Sequence, residues 1–188
     1  MNASPDALTR HRFDVTEYRR MVETGLLSPD ARVELLDGEI IDMAPIGPSH
    51  DAAVDRLNRQ LVIALGERAV VRVQGSFELS FRSEPEPDVA VLAPREDFYA
   101  GALPRAEDLL LAIEVADTTL VKDRDVKLPL YARHGVREAW LVDLEGRRLS
   151  VHRDPTPDGY ASALESVDLG AVSPALLPDV RLDLSWLA

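Results

Sequence analysis

Residues 109–115 read Leu-Leu-Leu-Ala-Ile-Glu-Val. A near-continuous apolar run of this length predicts a strand covered on both faces. That reading decides the fold, because a sheet covered on both faces needs helices on both of its sides. It also raises a question at Glu114, since an ionised carboxylate costs several kcal/mol to bury alone. Upstream, Asp88 follows Pro87 and opens a second short apolar run, Asp88 to Ala93. Downstream, a polar connection over 117–124 leads to a helix that carries Lys127 and runs to about His134, with Gly135 as its C′ residue. Pro129 has to fall in the first turn of that helix or kink it. Two carboxylates on adjacent strands, with a lysine arriving on the next helix, make chemical sense if a divalent cation sits between them. Hard oxygen ligands of this kind suit Mg²⁺ or Mn²⁺, and the arrangement points to phosphodiester hydrolysis.

The flanking segments extend the pattern in both directions. Glu138 to Asp143 is another strand, joined through Glu145-Gly146 to a strand over Arg148 to Arg153. Toward the N-terminus, Val70 to Phe81 is expected as one long strand, Ser83 to Pro87 as an acidic bend, and Arg95 to Asp108 as a surface loop. Ala53, Leu57, Leu61 and Leu65 recur at helical spacing, so a helix is expected from about His50 with Ser49 as its N-cap. Before it, Pro45, Gly47 and Pro48 make a rigid loop, and Arg32 to Met43 is a hairpin turning at Asp37-Gly38. A short helix to about Thr24 takes Thr16 as cap and Phe13 as staple. The order is that of an α/β (α+β) fold: a central mixed β-sheet flanked by helices, with an N-terminal helix and β-hairpin. Residues 1–12 are expected to be flexible, 13–153 to form the domain, and 154–188 to be a C-terminal extension packing on it.

Composition narrows the chemistry. The chain has 188 residues, a formal charge of −12 and no cysteine. Disulfides and thiolate metal sites are excluded, and a reducing compartment is the simpler setting. No apolar run is long enough to span a membrane, and the N-terminal MNASPDALTRHRF lacks the apolar stretch of a signal peptide. These features together favour the cytoplasm. The negative charge argues against broad, non-specific duplex binding, since such affinity comes largely from Lys and Arg on phosphates.

Several stretches carry a resemblance: Arg32-Val33-Glu34-Leu35-Leu36-Asp37-Gly38-Glu39-Ile40, Met43-Ala44-Pro45, His50, Pro87-Asp88-Val89-Ala90-Val91, Ile113-Glu114-Val115, Asp123 to Lys127, Leu130 to Val136, and Glu138 to Asp143. In this order they resemble the PD-(D/E)XK nucleases, the restriction-endonuclease-like fold. More closely, they resemble the Uma-type endonucleases, a bacterial family long carried as a domain of unknown function. The superfamily lysine should stand two residues after the acid, and that position is Ala116. The Uma-type family shares this absence, and Lys127 on the following helix substitutes. The usual Ser-Pro-Ser after the acid is here replaced by Ala116-Asp117-Thr118-Thr119.

The resemblance implies a Mg²⁺- or Mn²⁺-dependent endonuclease acting on DNA. Asp88 and Glu114 would be metal ligands with the Val115 carbonyl as a third, and Lys127 would orient the attacking water or neutralise developing charge. It also places Glu34 in the site and gives His50 a phosphate contact or a part in proton transfer. Restriction-like nucleases often pair, so a homodimer is expected, with the apolar Leu182-Asp183-Leu184-Ser185-Trp186 segment offering surface. Structural readings stand beside these. Asp88 after Pro87 can simply terminate a strand, Glu114 and Lys127 can form a plain salt bridge, and Glu34 can pair with an arginine. Asp123 and Lys127 are spaced as a surface helix pair, His50 can be a helix-start residue without chemistry, and Tyr131 and Trp140 read as core. A non-catalytic binding or regulatory module, or a hydrolase of small phosphate esters, remains the alternative function.

Overall fold

The computed structural model describes residues 9–28, 30–165 and 168–188. In chain order it contains α1 (Val15–Glu23), β1 (Val33–Leu36), β2 (Glu39–Asp42), α2 (Pro48–Leu65), β3 (Val70–Val73), β4 (Val89–Leu92), β5 (Leu109–Ala116), α3 (Leu120–Lys122), a π turn (Asp123–Lys127), α4 (Leu128–Arg133), β6 (Glu138–Asp143), β7 (Arg148–Thr156) and β8 (Gly159–Leu164). β1 and β2 form the expected hairpin, and Asp37 and Gly38 both take positive φ, 48° and 80°. That is the conformation a two-residue primed turn requires.

The other strands form one six-stranded sheet in the order β3-β4-β5-β6-β7-β8. Neighbours are antiparallel except β5 and β6, which are parallel. The exception follows from connectivity: a parallel pair needs a crossover, and the helical segment 120–133 supplies it. Side chains alternate between two cores. Val89, Val91, Leu111, Ile113, Val115, Trp140 and Val142 pack under α2 with Leu57 and Leu61. Ala90, Leu92, Ala112, Ala116, Ala139 and Leu141 face α4 with Leu128 and Tyr131. The mixed sheet flanked by helices agrees with the sequence reading.

Several local expectations differ. The strand expected over 70–81 stops at Val73, because Gln74 takes φ 46° and Gly75 sits against Arg72. α1 is capped by Asp14 rather than Thr16, through a reciprocal capping box with Glu17. α2 begins at Pro48 with Gly47 as cap, so Ser49 lies inside its first turn. The crossover helix starts at Leu120, within the segment expected to be a polar connection. β7 continues past Arg153 to Thr156 and turns into β8, so the sheet extends beyond the expected domain boundary. The first eight residues of the segment expected to be flexible lie outside the described residues, whereas Arg12 pairs with Glu39 at 2.9 Å. Among the described residues no helix is long and apolar enough to cross a membrane.

The C-terminal segment packs on the domain, but its final leucines do not face outward. Leu182, Leu184 and Leu187 turn into the protein's own core instead of offering dimer surface. A buried carboxylate ties this segment down. Glu138 accepts hydrogen bonds from Trp140 Nε1 at 2.7 Å, from Arg153 at 2.9 Å and from the Ala175 backbone N–H at 2.6 Å. Removing one partner of a buried network strands the others, and Arg153 keeps about a third of its surface in water. Glu138→Ala should therefore lower the unfolding free energy by about 2–3 kcal/mol, read as a lower urea midpoint with unchanged slope.

Candidate active site

Pro87 cannot donate to a strand ladder, so β4 begins only after it, and Asp88 is left at the strand's mouth. Val89 pairs with Ile113 on β5, and one further step of that register sets Asp88 opposite Glu114. Both side chains lie on the α4 side of the sheet, in phase with Ala90 and Ala112. Asp88 Oδ2 accepts the Val115 backbone N–H at 2.8 Å, and its Oδ1 stands 3.0 Å from His50 Nε2. His50 reaches it from the first turn of α2. The hydrogen bond to Asp88 is the main cause that raises the His50 pKa, against the opposing effect of burial. His50 Nδ1 is buried with no hydrogen-bond partner among the described residues.

The crossover helix brings in the cations. Pro129 has no N–H, and its ring would crowd the carbonyl four residues before it. In the turn just ahead, the helix widens and the Leu128 N–H bonds back to Asp123 O. Such a π turn puts residues five apart on one face, and Lys122 and Lys127 both reach Glu34 on β1. Lys122 Nζ lies 2.9 Å from Glu34 Oε1 and Lys127 Nζ 3.4 Å from Oε2. Glu34 Oε2 also accepts the Glu86 N–H at 3.2 Å. Lys127, only 2% exposed, donates to Glu114 Oε2 at 2.8 Å and to the Glu86 carbonyl at 2.9 Å. Tyr131, one turn on, donates its hydroxyl to Glu114 Oε1.

These contacts push two buried carboxyls apart. Burial holds Glu114 well above the usual carboxylate range; Lys127 opposes the shift, while Asp123, Asp88 and Glu34 add to it. Burial would raise Glu34 too, but Lys127 and Lys122 outweigh it and its pKa falls below 4.5. Burial alone would lower the Lys127 pKa, yet the surrounding acids raise it.

The residues enclose a cavity of about 40 Å³, which exceeds the roughly 10–15 Å³ that one water needs. Five acids face it (Glu86, Asp88, Glu114, Asp117, Asp123) against three permanent cations, Arg32, Lys122 and Lys127. Glu34 adds a further negative charge directly behind. A cluster of hard carboxyl oxygens suits a divalent cation, and Mg²⁺ commonly takes only one or two protein carboxylates and keeps waters. Among the described residues no group of three or more His, Cys, Asp or Glu side chains is placed to hold a metal ion. A cation placed between Asp88 and Glu114 would take two protein carboxylates and would need water or substrate to complete its shell.

The structure brings Asp88, Glu114, Lys127, Glu34, His50 and the Val115 backbone into one cluster. Glu34 pairs with two lysines instead of an arginine. Asp123, for which a surface helix pair with Lys127 was the alternative reading, is buried and accepts the Thr119 hydroxyl. Sequence reading missed Lys122 and the polar end of Tyr131. A spacing of five has no meaning on an ordinary α-helix, so Lys122 carried no signal without the π turn. Tyr131, four residues after Lys127, is core as expected, and its hydroxyl also turns to Glu114.

A family model described as "Uma2: Putative restriction endonuclease" matches residues 15–185 of this chain. A crystal structure from Anabaena variabilis, described as a putative nuclease belonging to DUF820, shares the fold with a TM-score of 0.69. The likeness covers 94% of this chain and 99% of that one at 17% sequence identity, a level that speaks for the fold. No curated protein matches the sequence.

The low Glu34 pKa has a stability consequence. A group whose folded pKa is depressed contributes stability above its unfolded pKa, and that stability disappears as pH falls through the folded value. The protein should lose stability on acidification below about pH 4.5. Glu34→Gln should be less stable at neutral pH and show a shallower acid limb in denaturant midpoints measured across pH 2–7.

Proposed function

The chain belongs to the Uma2 family, and from that premise we propose that it is a Mg²⁺- or Mn²⁺-dependent endonuclease hydrolysing phosphodiester bonds in DNA, working in the cytoplasm. One observation carries the reading: Asp88 and Glu114 stand opposite each other on adjacent strands, at one cavity, with Lys127 Nζ 2.8 Å from Glu114. The family name and the nuclease title of the Anabaena structure support the general class.

In this reading Asp88 and Glu114 hold the cation, with the Val115 carbonyl as a third ligand. Bound there, the cation supplies phosphate polarisation and a water of lowered pKa. His50 fixes Asp88 through Nε2, and Tyr131 fixes Glu114 through its hydroxyl. Lys127 offsets the cost of ionising Glu114 and places a positive charge beside the position where negative charge develops on the phosphate. Glu34 anchors both lysines. The −12 charge gives the chain little general affinity for duplex, so productive contact depends on local cations around this cavity.

A second reading, a non-catalytic binding or regulatory module, has its own observation. Position 116 is alanine, and both oxygens of Asp88 and of Glu114 already have partners inside the protein. Calorimetric titration with Mn²⁺ and cleavage assays on single- and double-stranded DNA separate the two. A group worth several kcal/mol at the transition state corresponds to about 10³-fold in rate. Asp88→Ala and Glu114→Ala should each lose that much cleavage, and Asp88→Ala should lose Mn²⁺ binding. Equal cleavage in both variants, or no Mn²⁺-dependent cleavage by the wild type, would favour the second reading. We also propose a two-fold symmetric homodimer that sets one site against each strand; light scattering should return twice the 20.7 kDa chain mass.

A further inference from the structure

We infer that Lys122, rather than Lys127, is the lysine that touches the substrate phosphate. The inference rests on the nuclease reading above and follows from counting donors. A lysine ammonium has three N–H groups. Lys127 donates to Glu114 Oε2 at 2.8 Å and to the Glu86 carbonyl at 2.9 Å, keeps a buried ion contact with Glu34 Oε2 at 3.4 Å, and is 2% exposed. To bond a phosphate it would have to abandon a buried partner, which leaves that group desolvated and unpaired.

Lys122 differs on each point. Among the described residues its Nζ has one acidic partner, Glu34 Oε1 at 2.9 Å, and its side chain is 23% exposed. It lines the same cavity as Asp88 and Glu114, as well as the two hollows beside it. Glu34 holds the ammonium in place while two N–H groups remain for an incoming oxygen. The buried lysine thus supplies charge from behind the carboxylates, and the accessible one supplies the hydrogen bonds. The ligand chemistry is a phosphodiester oxygen beside the cation-binding acids.

The test compares wild type, Lys122→Gln and Lys122→Arg in three measurements: Mn²⁺ affinity by calorimetry, cleavage with Mn²⁺, and metal-free binding of single-stranded oligothymidylate across a salt series. Removing one phosphate contact should flatten the plot of log affinity against log salt by about 0.7. Lys122→Gln should show that loss of slope, keep Mn²⁺ affinity, and cleave about 10²–10³-fold more slowly, as when one preorganised donor is removed. Lys122→Arg should restore the slope. A merely structural role at Glu34 would lower stability without changing the salt slope. An unchanged slope and rate in Lys122→Gln would overturn the inference, and so would a failure of the wild type to bind the oligonucleotide. Binding whose slope depends on Lys122, without metal-dependent cleavage by the wild type, would uphold the contact and overturn the nuclease reading instead.

Discussion

The interaction on which the site depends is the ion chain from Glu114 through Lys127 to Glu34. It joins the central strand, the crossover helix and the N-terminal hairpin through atoms that have almost no contact with water. Each member alone would be a severe liability in the interior, and each is tolerable only with the others in position. The hairpin is accordingly more than a decoration on the sheet. Its backbone pairs with the 80s segment through Leu35 and Glu84, and its one buried acid closes the charge chain. Tyr131 and the Glu86 backbone satisfy the lone pairs and protons that remain, which leaves Glu114 and Lys127 fully engaged.

Much of this was legible from the chain. The apolar run 109–115 with an acid inside it gave both the buried central strand and the demand for a partner, and β5 with Glu114 answers to both. The Asp37-Gly38 turn, the helical spacing of Ala53 to Leu65 and the apolar stretch at Glu138–Asp143 are strong local signals, and the elements stand where those signals lie. The failures share a physical cause. The strand expected to Phe81 is broken by a positive φ at Gln74, which no side-chain pattern announces. Thr16 and Ser49 are good caps in isolation, but Asp14 has Glu17 to complete a box, and Pro48 fixes where α2 begins.

The site residues divide in the same way. Asp88 and Glu114 were visible because charge in apolar strands is conspicuous. Lys122 and the Tyr131 hydroxyl were invisible because their importance comes from long-range geometry. Lys122 meets an acid 88 residues earlier in the chain, and it shares that acid with Lys127 across a turn widened by one residue ahead of Pro129. The spacing of Asp123 and Lys127 also allows a surface helix pair, yet Asp123 is buried and accepts the hydroxyl of Thr119 one turn earlier.

The distance in sequence between Glu34 and the two lysines also orders events in time. During synthesis the chain emerges N-terminus first, at about 5–20 residues per second. The hairpin with Glu34 is therefore out several seconds before the helix that neutralises it, and the two acid-bearing strands are out before Lys127. Until that helix arrives, the cluster is a set of like charges with no reason to collapse. Arrival of that helix completes the cavity, and a chain ending before residue 122 has Glu34, Asp88 and Glu114 but neither lysine.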